Sequence, residues 1–313
     1  MEISQIESNL KRNLEFHLKN SLPFHSISEV YHYAVFPPGK LFRPKLVWAL
    51  ALDIDAKLAL NLNSPLSHLA CAIEFHHAYT LIHDDLPCMD NDDFRRGKPS
   101  THKAYGEVNA LLVGDGLINL SYELLFKLPE SLLPKIGCVF SKLVGPKGLI
   151  LGQILDLQLK ENFTFNELIQ IQKLKTSRLI QASLICSYFL AESRPNFAKF
   201  FQLYRLGHHL GLLFQLFDDL SEFCDPSISE HEKDINAFAF YPKKAFEQLY
   251  KSAAQIRNTL GDSRYPHLLQ VLQQYFTQMN SLFTKNKAFL DESKLGDTTQ
   301  VLFPMMGTFD GFE

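Results

Sequence analysis

Two short runs of this chain place carboxylates at the ends of apolar stretches. The first, Asp84-Asp85-Leu86-Pro87-Cys88-Met89-Asp90, closes the apolar run 65–86. Charges at the end of an apolar helix are costly unless they meet solvent, a partner or a metal. Pro87 cannot extend a helix without losing a main-chain hydrogen bond, so the helix is expected to end or bulge near Leu86. Asp84 then sits on the helix, and Asp90 comes back from the loop after it. Such a turn can bring together two carboxylates that a regular helix would not align. The second run is Asp218-Asp219-Leu220-Ser221-Glu222. Asp218 and Glu222 are four apart and share a helix face, where they repel unless a cation lies between them. Hard oxygen donors of this kind suit Mg²⁺, which keeps waters and shares substrate phosphates. Either run alone also reads as solvated capping acids; the two together shift the reading towards metal. Both place an Asp-Asp pair behind an apolar helical run (81–86 and 216–220), as two helices delivering carboxylates to one cavity would.

Basic residues stand nearby in the sequence. Arg95-Arg96-Gly97-Lys98 follows the first acidic run, Gly39-Lys40-Leu41-Phe42-Arg43-Pro44 lies upstream, and Lys175-Thr176 lies mid-chain. Arginine offers a planar fork suited to phosphate oxygens, and lysine a compact charge. Singly, each also reads as a surface charge or a partner for the acids. Two His pairs, His76-His77 and His208-His209, could suggest a transition metal. Neighbours on a helix diverge by about 100°, so packing is the better reading of His76, His208 and His209.

The elements that must position these groups are helices. Ile3, Ile6, Leu10, Leu14 and His17 mark one face of a first helix. Further helices are predicted over 46–52, 65–86, 110–128, 132–144, 149–158, 165–190, 197–223, 241–260 and 265–289. Gly and Pro punctuate the gaps at 37–39, 97–99, 129, 145–146 and 225–226. No βαβ alternation or run of short strands is visible, so the class is all-α in one domain over 1–313, with 290–313 a terminal helix or tail. The 313 residues, 46% hydrophobic, suffice for a large core. A net charge of −3 gives no basic surplus for nucleic acid. Five scattered Cys without a paired spacing read as reduced thiols. Residues 1–20 lack the apolar core of a signal peptide, and no uninterrupted apolar run reaches the roughly 20 residues that span a bilayer. A cytoplasmic protein with no transmembrane segment is the expectation.

The stretch from Leu81-Ile82-His83-Asp84-Asp85 through Phe94-Arg95-Arg96-Gly97-Lys98-Pro99-Ser100 resembles the first aspartate-rich motif of the trans-polyprenyl diphosphate synthases, closest to the bacterial farnesyl type. The likeness continues through Thr101-His102-Lys103, Gly106-Glu107 and Gly114-Asp115. Gly39-Lys40 with Arg43-Pro44 resembles an upstream family element. Gly152-Gln153 with Asp156-Leu157, Lys175-Thr176, and Phe214-Gln215 with Asp218-Asp219 follow in family order.

The resemblance implies a bundle of long helices around a deep cavity, usually as a homodimer. It implies that Asp84, Asp85 and Asp90 hold two Mg²⁺ on an allylic diphosphate and Asp218 a third. Arg95, Lys175 and Gln215, with Thr176 beside them, would contact that diphosphate. Lys40, Arg43, His77 and Arg96 would hold isopentenyl diphosphate. The catalytic set is then Asp84, Asp90, Arg95, Lys175 and Asp218. The implied reaction joins dimethylallyl or geranyl diphosphate to isopentenyl diphosphate, head to tail. Product length would be set one turn upstream of Asp84, by Thr80 and the bulkier Tyr79. Tyr79 and the Pro87-Cys88 lengthening of the motif favour a fifteen-carbon product over the twenty carbons of a geranylgeranyl-type synthase.

The chain departs from the family after the second acidic run. Glu222 stands where Asp is usual, Lys233-Asp234 stand in for a Lys and Asp pair, and apolar residues replace a later Lys and Thr. Beside an active synthase, these departures leave open a weakly active or regulatory relative that binds prenyl diphosphates. A terpene cyclase would have no need of the isopentenyl residues Lys40, Arg43 and His77.

Overall fold

The computed structural model describes residues 3–58, 61–159, 162–224, 236–261 and 264–286. Among them are fourteen helices and one two-stranded hairpin, so the chain is all-α as expected. They are α1 (Ile3–Ser21), α2 (Ile27–Val35), α3 (Phe42–Ile54), α4 (Pro65–Asp84), β1 (Phe94–Arg95), β2 (Lys98–Pro99), α5 (Thr101–Tyr105), α6 (Glu107–Phe126), α7 (Leu133–Val144), α8 (Leu149–Leu157), α9 (Phe165–Lys175), α10 (Ser177–Ala191), α11 (Phe197–Phe223), α12 (Ala237–Phe240), α13 (Pro242–Leu260) and α14 (Pro266–Lys285). Residues 225–235, with Lys233 and Asp234, and the tail 290–313 lie outside the described residues. The contacts gather into two compact units, Met1–Phe140 with Ala182–Pro195, and Ser141–Gln181 with Asn196–Glu313.

In the first unit α4 is the central helix. Ser64 caps it by accepting the Ser67 N–H at 3.1 Å, and Pro65 occupies the first turn, where a missing N–H costs nothing. Most of its circumference is buried, from Leu66 to Ile82, which is why it shows no simple two-faced pattern. It packs on α6, α3 and α1. Ser121 Oγ donates to the Ala72 carbonyl at 2.8 Å, tying α6 to α4. Ile6, Leu10, Leu14 and His17 are buried on α1, on the face that their spacing predicts.

In the second unit α11 packs on α13, whose Leu249, Ala253 and Ile256 are buried, and Phe217 of α11 meets Phe276 and Phe283 of α14 with ring centroids at 6.1 and 5.7 Å. Asn196 caps α11 through the Lys199 N–H at 2.9 Å. Thr164 and Glu167 form a reciprocal capping box at the start of α9.

The single helix expected over 165–190 is instead two, broken at Thr176. Close packing explains the break. A Cβ on Gly152 would lie 2.3 Å from the Lys175 nitrogen, and one on Gly211 would lie 2.4 Å from Ser177 Cα. Two glycines thus let the flanking helices α8 and α11 press on the junction. The stretch Leu133–Leu157 is apolar enough, by length and composition, to cross a membrane. It is however two helices parted by a turn at 145–148, which lipid would leave with unsatisfied main-chain groups.

Candidate active site

Helix α4 ends at Asp84, and Asp85 forms its cap. The Leu86 N–H reaches back to the His83 carbonyl, and Pro87 has none to give. The loop then folds back on the helix. The Asp90 N–H donates to the Asp84 carbonyl at 2.9 Å, and Met89 and Asn91 both donate to the Leu86 carbonyl. The main chain thus brings Asp90 to the end of the helix that carries Asp84.

Arg95 and Arg96 follow on the hairpin, whose register pairs Phe94 with Pro99 and Arg95 with Lys98. The turn residues Arg96 and Gly97 both have positive φ, +55° and +75°, as a type I′ turn requires. The hairpin's two-residue strands are too short to carry a readable alternation in the sequence. Its turn separates the two guanidinium groups. Arg95 pairs with Asp85 at 2.5 Å and Asp92 at 2.8 Å. Arg96 points elsewhere: it donates to the Pro37 carbonyl at 3.3 Å, lies against Gly39, and faces Glu74 at 4.0 Å. Lys98 holds the adjoining chain by donating to the carbonyls of Tyr33 and Phe36.

Burial pushes the Asp85 carboxyl up to about 6 against the pull of Arg95, with Asp92 and Asp90 pushing the same way. These carboxylates therefore lie close enough to repel one another, and their oxygens are the hard donors that Mg²⁺ takes. Among the described residues no three His, Cys, Asp or Glu side chains form a ready metal cage. The residues fit an ion that draws its remaining ligands from water and phosphate oxygens.

Arg43 stands in the first turn of α3, with Lys40 on the exposed loop before it. Its Nη1 lies 3.1 Å from His77 Nε2. A guanidinium only donates, so the imidazole accepts. Burial, and then Arg43, Arg96 and Arg95, hold the His77 pKa well below its usual value, so the ring is neutral. Tyr79 is almost buried, edge-on to His76 and His83 with centroids at 4.6 and 5.6 Å. Thr80, half-buried, turns its hydroxyl to the His77 carbonyl.

In the second unit the α9–α10 junction carries Lys175 and Thr176. Lys175 Nζ donates to the buried Asp156 at 2.6 Å. Thr176 donates to Gln215 at 2.8 Å, and Gln215 in turn donates to Asp219 at 3.0 Å. Asp219 also accepts from Gln172 at 2.9 Å and from the Ala237 N–H at 3.3 Å. Burial pushes this carboxyl up to about 7, against those three donors. Asp219 therefore anchors α9, α11 and the start of α12, while Asp218 and Glu222 lie half-buried on α11. In the apolar stretch that replaces the later Lys and Thr of the family pattern, Ala237 and Phe238 are buried and Phe238 packs edge-on to Phe246.

The sequence profile of the polyprenyl synthetase family matches residues 24–240. The chain belongs to that family. A farnesyl diphosphate synthase of Buchnera aphidicola is 36% identical over 265 residues, 78% of this chain and 90% of the relative. A geranyltransferase structure from Legionella pneumophila superposes with a TM-score of 0.73 at 32% identity, covering 91% of this chain and 97% of that one. A Helicobacter pylori geranyltransferase complexed with magnesium and isoprenyl diphosphate gives 0.75 at 30% identity, covering 90% and 97%.

Within this polyprenyl synthetase, the residues that sequence reasoning missed are partners of the recognised ones: Glu74, Asp92, Gln172 and Asn236. Glu74 left a signal, an acid inside an apolar helix three positions before His77. Gln172 and Asn236 left none, because their roles arise only when α9 and α12 meet Asp219.

Proposed function

We propose that this polyprenyl synthetase is a Mg²⁺-dependent prenyltransferase that condenses dimethylallyl or geranyl diphosphate with isopentenyl diphosphate, head to tail, to give farnesyl diphosphate. The observation that carries the reading is the folded-back loop in which the Asp90 N–H binds the Asp84 carbonyl, followed by a hairpin bearing Arg95 and Arg96. Family membership and the activity named for the Buchnera relative support it.

In this reading Asp84, Asp85 and Asp90 would hold two Mg²⁺ and Asp218 a third. Bound Mg²⁺ supplies positive charge to the diphosphate as it departs. Arg95, Lys175, Thr176 and Gln215 bind and orient the allylic diphosphate, and the charges of Arg95 and Lys175 stabilise the negative charge that develops on it. Lys40, Arg43, Arg96 and neutral His77 hold isopentenyl diphosphate. The C–O bond of the allylic diphosphate breaks, and the isopentenyl double bond attacks the resulting cation. A proton is then lost from the new cation, with the released diphosphate as the base. No protein nucleophile takes part. Apolar walls exclude water from the cation, and Tyr79 with Thr80 sets product length.

The same reading has one polyprenyl synthetase domain spanning the chain, in the cytoplasm. Five free cysteines agree with a reducing compartment. It also has a homodimer, supported by the outward apolar residues Val108, Leu111, Leu112 and Phe126 of α6.

The test is incubation with Mg²⁺, isopentenyl diphosphate and either allylic primer, followed by measurement of product chain length. Condensation to a fifteen-carbon product is expected. No condensation with either primer would overturn the reading; a twenty-carbon main product would overturn its farnesyl specificity alone.

A further inference from the structure

One acid stands within the basic cluster of the first unit and takes no part in the chemistry above. Glu74 lies on α4 with 2% of its surface exposed. It precedes His77 by three residues, so the two share a helix face. A carboxylate so deeply buried is tolerated only beside compensating charge. Its Oε1 lies 4.0 Å from Arg96 Nη2. Burial pushes this carboxyl up to about 7, and Arg96 and then Arg43, which holds His77 at 3.1 Å, act against that rise by favouring the ionised form.

Arg96 needs such a partner. Its backbone is left-handed at φ +55°, and burial and the neighbouring Arg95 both act against its charge. Glu74 is the foremost group acting to retain that charge. On its other side, the guanidinium lies so close to Gly39 that a Cβ there would meet Nη2 at 3.2 Å. Arg96 is thus held between a glycine, the Pro37 carbonyl and one buried acid. The charge of Arg43 also acts on the same acid, so a single carboxylate offsets two guanidinium groups that would otherwise repel.

We propose that Glu74 is a positioning residue for the homoallylic diphosphate: from beneath the cluster it fixes Arg96 and Arg43, and through Arg43 the ring of His77, in the arrangement that receives the phosphates. The proposal rests on the assignment of Arg43, His77 and Arg96 to isopentenyl diphosphate under "Proposed function".

Steady-state kinetics of wild type, E74Q and E74D test it, each diphosphate being varied with the other saturating in the presence of Mg²⁺. For E74Q, a rise of about ten-fold in KM for isopentenyl diphosphate is expected, with KM for geranyl diphosphate changed by less than about two-fold. E74D is expected to recover part of the loss, because it keeps the charge. An unchanged KM for isopentenyl diphosphate overturns the proposal. So does a lowered one, which would mean that Glu74 acts only by offsetting positive charge. An equal rise in both KM values overturns it too, because that reports a general structural loss. If E74Q does not fold, E74D carries the test on the same split between the two KM values. Wild type that condenses neither primer refutes the assigned reaction instead. In that case, binding of inorganic diphosphate to wild type and E74D decides the role of Glu74, and equal affinities overturn it.

Discussion

Asp84 and Asp90 lie six positions apart, and one main-chain hydrogen bond joins them. Asp84→Asn keeps the shape of the side chain and removes its charge. A fall in kcat of about 10²–10³-fold is expected, the scale of losing one preorganised electrostatic contact. Condensation assays at saturating substrates check it, with an unchanged melting temperature showing that the fold survives. Tyr79→Ala opens the space beside His76 and His83 and is expected to lengthen the main product beyond fifteen carbons. Chromatography of the hydrolysed products checks this, and an unchanged product places the floor elsewhere. At this scale the acids and arginines were legible, because no ordinary core tolerates Asp84-Asp85 and Arg95-Arg96 without partners. Glu74 was harder to read: its meaning depends on Arg96 arriving from a hairpin more than twenty positions away.

Long helices were legible as elements. The run 197–223 matches α11 residue for residue, because its apolar spacing and the capping Asn196 both survive into the structure. The break at Thr176 was not legible. Locally, 165–190 is good helix sequence, and only Gly152 and Gly211, from two other elements, show how closely the backbones approach. Gly152→Ala tests that packing. Its Cβ would overlap the Lys175 nitrogen, so a destabilisation of about 1–3 kcal/mol is expected. Thermal melting measures that loss. Displacement of Lys175 is expected to raise KM for the allylic substrate, leaving KM for isopentenyl diphosphate unchanged.

For the whole molecule, buried ionisable groups set how stability varies with pH. Burial lowers His17, His208 and His209 to about 4 and His76 to about 3, from 6.5. Unfolded chains bind protons to these rings first, so their burial destabilises the fold as pH falls below 6.5. Glu74 and Asp219 act in the opposite sense. Burial lifts both to about 7 from ordinary carboxyl values of 4.5 and 3.8, so the folded state holds their protons more tightly. Their contribution is greatest at acid pH and is lost as pH rises through about 7. The melting temperature is expected to climb from pH 4 to 6.5, where the four histidines outweigh the two acids, and to level off near pH 7. Asp219→Asn should steepen that climb, as calorimetry across the range would record. The outward face of α6 gives a second prediction at this scale. Wild type is expected to sediment as a dimer, and Leu112→Asp to sediment as a monomer.

The turn at Arg96 and Gly97 has one more consequence. The chain spells the same residue twice in succession, yet the two copies reach different destinations, one at the acidic loop and one at Glu74. Nothing in their chemistry tells them apart; the distinction is written in handedness. A D-alanine at position 97, introduced by semisynthesis, accepts positive φ as readily as glycine and should leave both arginines correctly addressed. L-alanine carries the same atoms in mirror image and should scramble the delivery. Two enantiomers of one methyl group would then separate an enzyme that sorts its two diphosphates from one that does not.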